Sequence, residues 1–182
     1  MTTIRPADTV TPGPAGTVPT TIRLAGAGDR SVVVDALVHA VNWSPARRPL
    51  TRAEVLGTHA FAHYVDGWPT GRDLGVVAEL PGGVGVGAAW LRFLPLDDPG
   101  YGFAGAGIPE LSVGVAPGHR GRGVGRRMVR TLLASATGAG IGGVSLSVER
   151  ANPARALYLS EGFTVIGGDG NADTMLYVAD TA

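Results

Sequence analysis

The sequence predicts a mixed α/β (α+β) fold in which a mostly antiparallel central sheet is flanked by four helices. Two observations lead to this prediction. Apolar residues recur at helical spacing in some segments and alternate along others, which separates helices from strands. The helical segments also do not alternate strictly with the strands, as they would in a doubly wound parallel sheet. The expected order is β-α-α-β-β-β-α-β-α-β-β.

Capping residues and turn residues place the individual elements. Asp29 or Ser31 caps the first helix, and Thr51 with Glu54 forms a capping box for the second. Pro81-Gly82-Gly83 predicts a hairpin turn between two strands. The predicted helices run from about 30 to 41, 52 to 65, 123 to 136 and 152 to 161, and the predicted strands cover 21–24, 74–80, 84–93, 109–115, 144–148, 163–166 and 174–178.

Length and composition indicate one domain. Residues 1–19 are rich in Thr, Pro and Gly and are expected to form an irregular tail, and residues 20–182 are expected to form a single domain. Lys+Arg and Asp+Glu both count 15, so no net charge favours nucleic acid or a membrane surface as a partner. The chain has no cysteine, no apolar leader and no membrane-length apolar run. These features predict a cytoplasmic protein, and the absence of lysine beside many Arg, Ala and Gly is typical of bacterial sequences.

The segment from Glu110 to Arg130 predicts an anion site. A strand is followed by a glycine-rich run that opens an amphipathic helix, where unpaired N–H groups and the helix dipole attract a phosphate. The Gly-Lys-Ser/Thr end of a Walker loop is absent, and the glycines are spaced G-x-G-x-G instead of G-x-G-x-x-G. Five arginines crowd this helix start: Arg120, Arg122, Arg126, Arg127 and Arg130.

Two motifs, one in this segment and one after it, resemble those of the GNAT acetyltransferase superfamily. The run Arg120-x-x-Gly123-x-Gly125 is similar to that family's Arg/Gln-x-x-Gly-x-Gly/Ala signature, and the strand before it is similar to the family's preceding strand. The run from Asn152 through Tyr158 to Gly162-Phe163 resembles the family's next motif, although many members have one more residue between the Asn and the Tyr. The match spans about residues 109–166.

The resemblance implies a GNAT fold, with a sheet splayed at its middle, and acetyl-CoA as cosubstrate. It implies that a bulge at Val113 and Val115 pairs with the pantetheine arm and that the amides of residues 121–126 hold the pyrophosphate. Asn152 would help to fix the cofactor arm. The implied cofactor-binding residues are Val113, Gly114, Val115, Arg120, Gly121, Arg122, Gly123, Val124, Gly125, Arg126 and Asn152.

The resemblance also implies direct acetyl transfer to a primary amine, with Tyr158 protonating the departing thiolate. Glu110 is the candidate base because it lies on the strand that leads into the expected bulge, and Glu79, Asp98 and Glu149 are weaker candidates. Each role competes with a simpler interpretation: Tyr158 as a packing residue, Asn152 as a helix cap and Glu110 as a solvated strand start. A non-catalytic acyl-CoA-sensing module on the same fold is the alternative function.

The sequence does not identify the acyl acceptor or the oligomeric state. A small amine, a peptide N-terminus and a lysine all fit the expected chemistry, and a homodimer is compatible with it. His59 and His63 are spaced i, i+4, as in some zinc sites, but no third ligand is evident in the sequence. We therefore interpret them as ordinary helix residues and predict no metal.

Overall fold

Within residues 19–179, the part of the chain that it describes, the computed structural model contains seven strands and five α-helices. The strands are β1 (Thr21–Leu24), β2 (Leu74–Leu80), β3 (Val84–Arg92), β4 (Glu110–Val115), β5 (Gly143–Glu149), β6 (Thr164–Asp169) and β7 (Ala172–Val178). The helices are α1 (Arg30–Val41), α2 (Arg52–Gly57), α3 (His59–Ala62), α4 (Val124–Gly138) and α5 (Ala154–Ser160), and none of them is long and apolar enough to cross a membrane. The tail predicted at residues 1–19 lies, up to residue 18, outside the described residues.

All seven strands form one sheet in the order β1-β2-β3-β4-β5-β7-β6. Every neighbouring pair is antiparallel except β4 and β5, which are parallel. A long crossover through α4 joins these two parallel strands, as a parallel connection requires. The mixed α/β fold that the sequence predicts is confirmed.

The sheet separates two apolar layers because alternate residues of its strands point to opposite faces. On one face, Val76 and Leu91 pack with the buried side of α4, including Met128 and Leu132. On the other face, Val77 and Trp90 pack with α1 and the residues that follow α3. Helices α1 and α4 therefore lie on opposite faces of the sheet, with β4 between them.

The second predicted helix is two short helices, so five helices replace the four that were expected. Helix α2 ends at Gly57, and Thr58 is extended with φ −101° and ψ 112° before α3 begins at His59. Glycine and a β-branched residue in succession lower helix propensity at this joint. The capping box predicted at Thr51 is confirmed, since its hydroxyl accepts from the Glu54 N–H at 3.2 Å and the Glu54 carboxylate accepts from the Thr51 N–H at 2.7 Å.

The parallel strands β4 and β5 diverge soon after they begin. Among the described residues, their pairing is limited to one position, where Glu110 faces Ser145 and the Ser145 N–H donates to the Pro109 carbonyl at 3.0 Å. Beyond this point β5 pairs with β7 and, within residues 19–179, has no further pairing with β4. The sheet is thus splayed at its middle, and the later part of β4 has a free backbone edge.

Candidate active site

The glycine-rich run forms the turn that opens α4. Gly121 and Gly123 have φ of 70° and 75°, a left-handed conformation that L-residues with side chains rarely adopt. Gly123 is the N-cap of α4, and no side chain caps the helix. A Cβ placed at either glycine would meet no atom within 4 Å, so the space in front of the turn is open.

Six consecutive backbone N–H groups at this turn, those of residues 121–126, have no acceptor within residues 19–179. The run lies between the Arg120 N–H, which donates to the Pro117 carbonyl at 3.3 Å, and the Arg127 N–H, which donates to the Gly123 carbonyl at 3.1 Å. Open amides at a helix N-terminus, with the positive end of the helix dipole behind them, form an anion-binding cradle. These are the same amides at which the resemblance places the pyrophosphate.

Most arginines of the cluster bind other parts of the protein, whereas the sequence places all five at the predicted anion site. Four of its five guanidinium groups bind protein atoms. Arg126 and Arg130 pair with Glu161 at 2.5 and 2.7 Å, Arg127 contacts Thr20, and Arg120 binds backbone carbonyls. Only Arg122, among the five, has no hydrogen-bond partner in the described part of the chain. The side chain of Arg126 is thereby occupied, whereas its backbone N–H belongs to the open run.

The guanidinium of Arg120 acts as a tether between the cradle and α1. Its Nε donates to the Val115 carbonyl at 2.9 Å, and a terminal nitrogen donates to the His39 carbonyl at 2.8 Å. The signature arginine thus joins the end of β4 to the last turn of α1. It holds the cradle in place instead of reaching into it.

The bulge expected at Val113 and Val115 is not present. β4 pairs with β3 in continuous register from Glu110 opposite Arg92 to Val115 opposite Gly87. Because backbone groups alternate between the two edges of a strand, and the Ala116 N–H bonds to β3, the Val113 and Val115 groups point to the β5 side. The divergence of β5 exposes this edge without a bulge, and of these groups the Val115 carbonyl accepts a hydrogen bond from Arg120 Nε.

Two glycines let neighbouring elements approach this edge. A Cβ at Gly114 would overlap the carbonyl of Ala36, so glycine is required where α1 lies against β4. At Gly125 a Cβ would lie 3.8 Å from Val115 and 4.0 Å from Leu157. The first turn of α4 is therefore next to both the end of β4 and α5, which carries Tyr158.

Tyr158 is buried in the cluster that lines the splayed part of the sheet. It is 9% exposed and packs edge-on against Phe163 at 5.8 Å between ring centroids, and Val113 and Val115 pack against the same cluster. Its hydroxyl has no hydrogen-bond partner within residues 19–179. Desolvation by burial raises the pKa of Tyr158 to about 12, so the phenol keeps its proton at neutral pH.

Glu110 is the first residue of β4 and is 4% exposed. Its Oε1 accepts hydrogen bonds from the Tyr64 hydroxyl at 2.7 Å and the Gly102 N–H at 2.8 Å. Its Oε2 is buried without a partner, and a Cβ at Gly100 would overlap it. Burial raises the pKa of the Glu110 carboxyl, while the two hydrogen bonds act in the opposite direction.

The three weaker base candidates are all paired with basic groups. Glu79 binds Arg23 at 2.9 Å, and Asp98 lies between two histidine rings, which lower its pKa. Glu149 contacts Arg47 and accepts from the Trp43 indole N–H at 3.0 Å, and the Arg47 hydrogen bond is the main reason that its pKa falls to about 2. The lowered pKa values of Asp98 and Glu149 make these two carboxylates weak proton acceptors.

Asn152 lies two residues ahead of α5, whose N-cap residue is Pro153. Its side-chain oxygen accepts from the Ala154 N–H at 2.9 Å, and its own N–H donates to the Glu149 carbonyl at 2.9 Å. The side chain thus binds the first N–H of α5 from the position before the N-cap. The amide nitrogen of the side chain has no partner in the described part of the chain and is free to meet a ligand.

Some contacts of the site could not be read from sequence. The partner of Glu110, Tyr64, lies 46 positions earlier in the chain. A cavity of about 160 Å³ between α1 and β3 lies beside Ala116 but contains none of the predicted catalytic residues. No sequence pattern marks either feature, because both depend on how distant segments pack.

Comparison with protein-family models identifies one match, to the acetyltransferase (GNAT) domain, over residues 72–165. This match covers more than half of the chain and includes the cradle, the free edge of β4 and Tyr158. The chain belongs to the GNAT acetyltransferase family. A search of curated protein sequences finds no significant match.

Solved structures share the GNAT fold across nearly the whole chain. yncA from Salmonella typhimurium, whose structure contains its cofactor acetyl-CoA, is 24% identical with a TM-score of 0.66, covering 90% of this chain and 96% of that one. A GCN5-related N-acetyltransferase from Kribbella flavida is 23% identical with a TM-score of 0.63, covering 88% and 98%. The paia N-acetyltransferase from Thermoplasma acidophilum, in complex with coenzyme A, is 16% identical with a TM-score of 0.61, covering 88% and 99%.

Proposed function

We propose that this chain is an N-acetyltransferase that transfers the acetyl group of acetyl-CoA directly to a primary amine. The observation that carries the proposal is the run of six open amides at the start of α4, directly after a strand whose outer edge is free. A pyrophosphate fits the first feature and an amide-containing arm such as pantetheine fits the second. The acetyl-CoA and coenzyme A held by two proteins of the same fold support this choice of donor.

In this proposal the donor lies along the notch between β4 and β5. The amides of residues 121–126 hold the pyrophosphate, and the free guanidinium of Arg122 adds a charged contact. The Val113 backbone groups and the Val115 N–H pair with the pantetheine arm, and the amide nitrogen of Asn152 binds it from the α5 side. Arg120 contributes through its tether, which fixes the cradle relative to β4.

The chemical step that we propose is a single displacement. The amine nitrogen attacks the thioester carbonyl carbon and forms a C–N bond, and the C–S bond then breaks to release the coenzyme A thiolate. The N–H groups of the free β4 edge stabilise the oxyanion that forms on the carbonyl oxygen. Tyr158 donates its proton to the leaving sulfur, a role supported by a hydroxyl that is protonated at neutral pH and has no hydrogen-bond partner in the described residues.

Glu110 is our candidate for the base that takes the proton lost by the amine. Burial raises its pKa, which makes its anion a better proton acceptor than a solvated carboxylate, and its Oε2 has no other partner. Because the backbone at Gly100 covers this oxygen, we propose that the proton reaches it through a water molecule. The acceptor amine remains open among small amines, peptide N-termini and lysine side chains.

The direct test of this function combines binding with turnover. Titration calorimetry of the purified chain with acetyl-CoA is expected to show one saturable site, and an amine screen that detects the released thiol is expected to identify an acceptor. Acetyl-CoA without an amine serves as the control for hydrolysis. Absence of acetyl-CoA binding would sink the proposal, whereas binding without turnover on any amine would favour the acyl-CoA-sensing alternative.

The base role predicts a specific pH dependence. A general base works only when deprotonated, so wild-type kcat/KM is expected to fall as the pH drops through the raised pKa of Glu110, above the ordinary value of about 4.3. Glu110→Gln is expected to lower kcat/KM by about 10²-fold at neutral pH and to remove this acidic limb.

The matched control for this prediction is Glu79→Gln. It removes a carboxylate of the same type near the end of β2. Glu79 pairs there with Arg23 of β1, away from the notch. This variant is expected to keep both the rate and the shape of the pH profile. An unchanged profile in Glu110→Gln would show that another group accepts the proton.

A further inference from the structure

Two imidazoles and a carboxylate meet on the surface beside α3. His59 Nε2 and His63 Nδ1 lie 2.9 and 3.1 Å from the same atom, Asp98 Oδ1. All three donor atoms lie within 4.8 Å of one another. The sequence showed only the two histidines, because the fold supplies the third group from a loop 35 positions after His63.

Helix α3 positions the two histidines, and a turn in the loop between β3 and β4 positions Asp98. His59 begins α3 and His63 follows its last residue, so one helical turn aligns the two rings on the same face. His63 is 7% exposed and packs edge-on against Tyr64 at 4.6 Å, which fixes its orientation. The Asp98 N–H donates to the Pro95 carbonyl at 3.3 Å, a turn that directs the loop toward α3.

We propose that His59, His63 and Asp98 form a binding site for a divalent transition-metal ion of the Zn²⁺ class. Two imidazole nitrogens and one carboxylate oxygen are the ligands of open zinc sites, and a fourth position is then left for water. Metal–ligand bonds of about 2.0–2.1 Å in a tetrahedral site place ligand atoms roughly 3.3 Å apart, close to the observed nitrogen–oxygen separations. Mg²⁺ and Ca²⁺ prefer oxygen ligands and do not suit this set.

The position of the site indicates what a bound ion would do. It would join α3 to the loop between β3 and β4, and the side chain of His59 is 76% exposed, so the fourth position faces solvent. The same loop places Gly100 and Gly102 against Glu110. The ion would therefore clamp the loop that covers the candidate base, as a structural ligand outside the acetyl-transfer step.

Metal binding by the purified, metal-free chain tests this proposal without any activity assay. Titration calorimetry with Zn²⁺ is expected to show one site with a dissociation constant in the micromolar range or below, and Mg²⁺ is expected to give no binding. Co²⁺ in place of Zn²⁺ is expected to show the visible absorption of a tetrahedral site. Both readouts are independent of acetyl-CoA, so their failure would leave the proposed acetyl transfer intact.

Substitutions at the ligands are expected to weaken Zn²⁺ binding at least tenfold. His59→Gln alters an exposed side chain and keeps the fold, and Asp98→Asn keeps the shape of the loop. His119→Gln and Asp97→Asn, which change the same residue types outside the cluster, are the matched controls and are expected to bind Zn²⁺ as the wild type does. No Zn²⁺ binding by the wild type, or an equal loss of affinity in ligand and control variants, would overturn the proposal.

Discussion

Tyr158→Phe is expected to lower kcat for acetyl transfer by about 10²- to 10³-fold while acetyl-CoA affinity changes less than about twofold. The substitution removes one hydroxyl that has no hydrogen-bond partner in the described part of the protein, so packing against Phe163 is retained. What is lost is the proton for the leaving thiolate. Because the pKa of Tyr158 is raised to about 12, this group is protonated at every pH below that value and contributes no basic limb there.

The measurement is steady-state kinetics of thiol release, with acetyl-CoA binding measured separately by calorimetry. Tyr177→Phe is the matched control, since Tyr177 packs against Phe163 at 5.6 Å and its hydroxyl also has no hydrogen bond to another described residue. This control is expected to retain full turnover. If Tyr158→Phe kept the wild-type kcat, the Tyr158 side chain would serve only in packing, and another group would protonate the sulfur.

Gly123→Glu is expected to weaken acetyl-CoA binding by at least 10²-fold with little change in the stability of the fold. The new carboxylate would lie at the N-terminus of α4 and accept hydrogen bonds from the open amides, in the place of the pyrophosphate. A side chain at φ 75° costs about 1–2 kcal/mol, and an acidic group at a helix N-terminus returns about 0.3–1 kcal/mol. These opposing effects leave a small net loss of folding free energy. The loss of acetyl-CoA affinity is expected to be large because the new carboxylate occupies the anion site.

Gly140→Glu provides the control, because Gly140 has φ 76° and open space around it but lies just beyond the other end of α4. The backbone strain is the same, and a negative charge at the helix C-terminus is unfavourable. We expect Gly140→Glu to be at least as destabilised in thermal unfolding and to bind acetyl-CoA normally. Equal affinity losses in the two variants would mean that strain, and not the cradle, explains the effect.

Local patterns were sufficient for most of the secondary structure and for the cradle. The alternation along β5, the capping box at Thr51 and the glycine spacing from Gly121 to Gly125 are short-range features, and the structure agrees with each of them. The prediction of a single helix here was wrong. The apolar periodicity continues through Thr58, but the backbone is extended at this residue and separates α2 from α3. The expected bulge in β4 failed because the divergence of β5 exposes the same backbone groups without one.

The sequence by itself determined the anion cradle, since positive φ at glycine and uncapped amides at a helix start are properties of a few adjacent residues. Only the tertiary structure decided what the surrounding side chains do. It placed Arg120 on the carbonyls of α1, buried Glu110 against Tyr64, and brought Asp98 to the two histidines. Those contacts join segments far apart in the chain, and their geometry follows from how α1, α3 and the loop before β4 pack on the sheet.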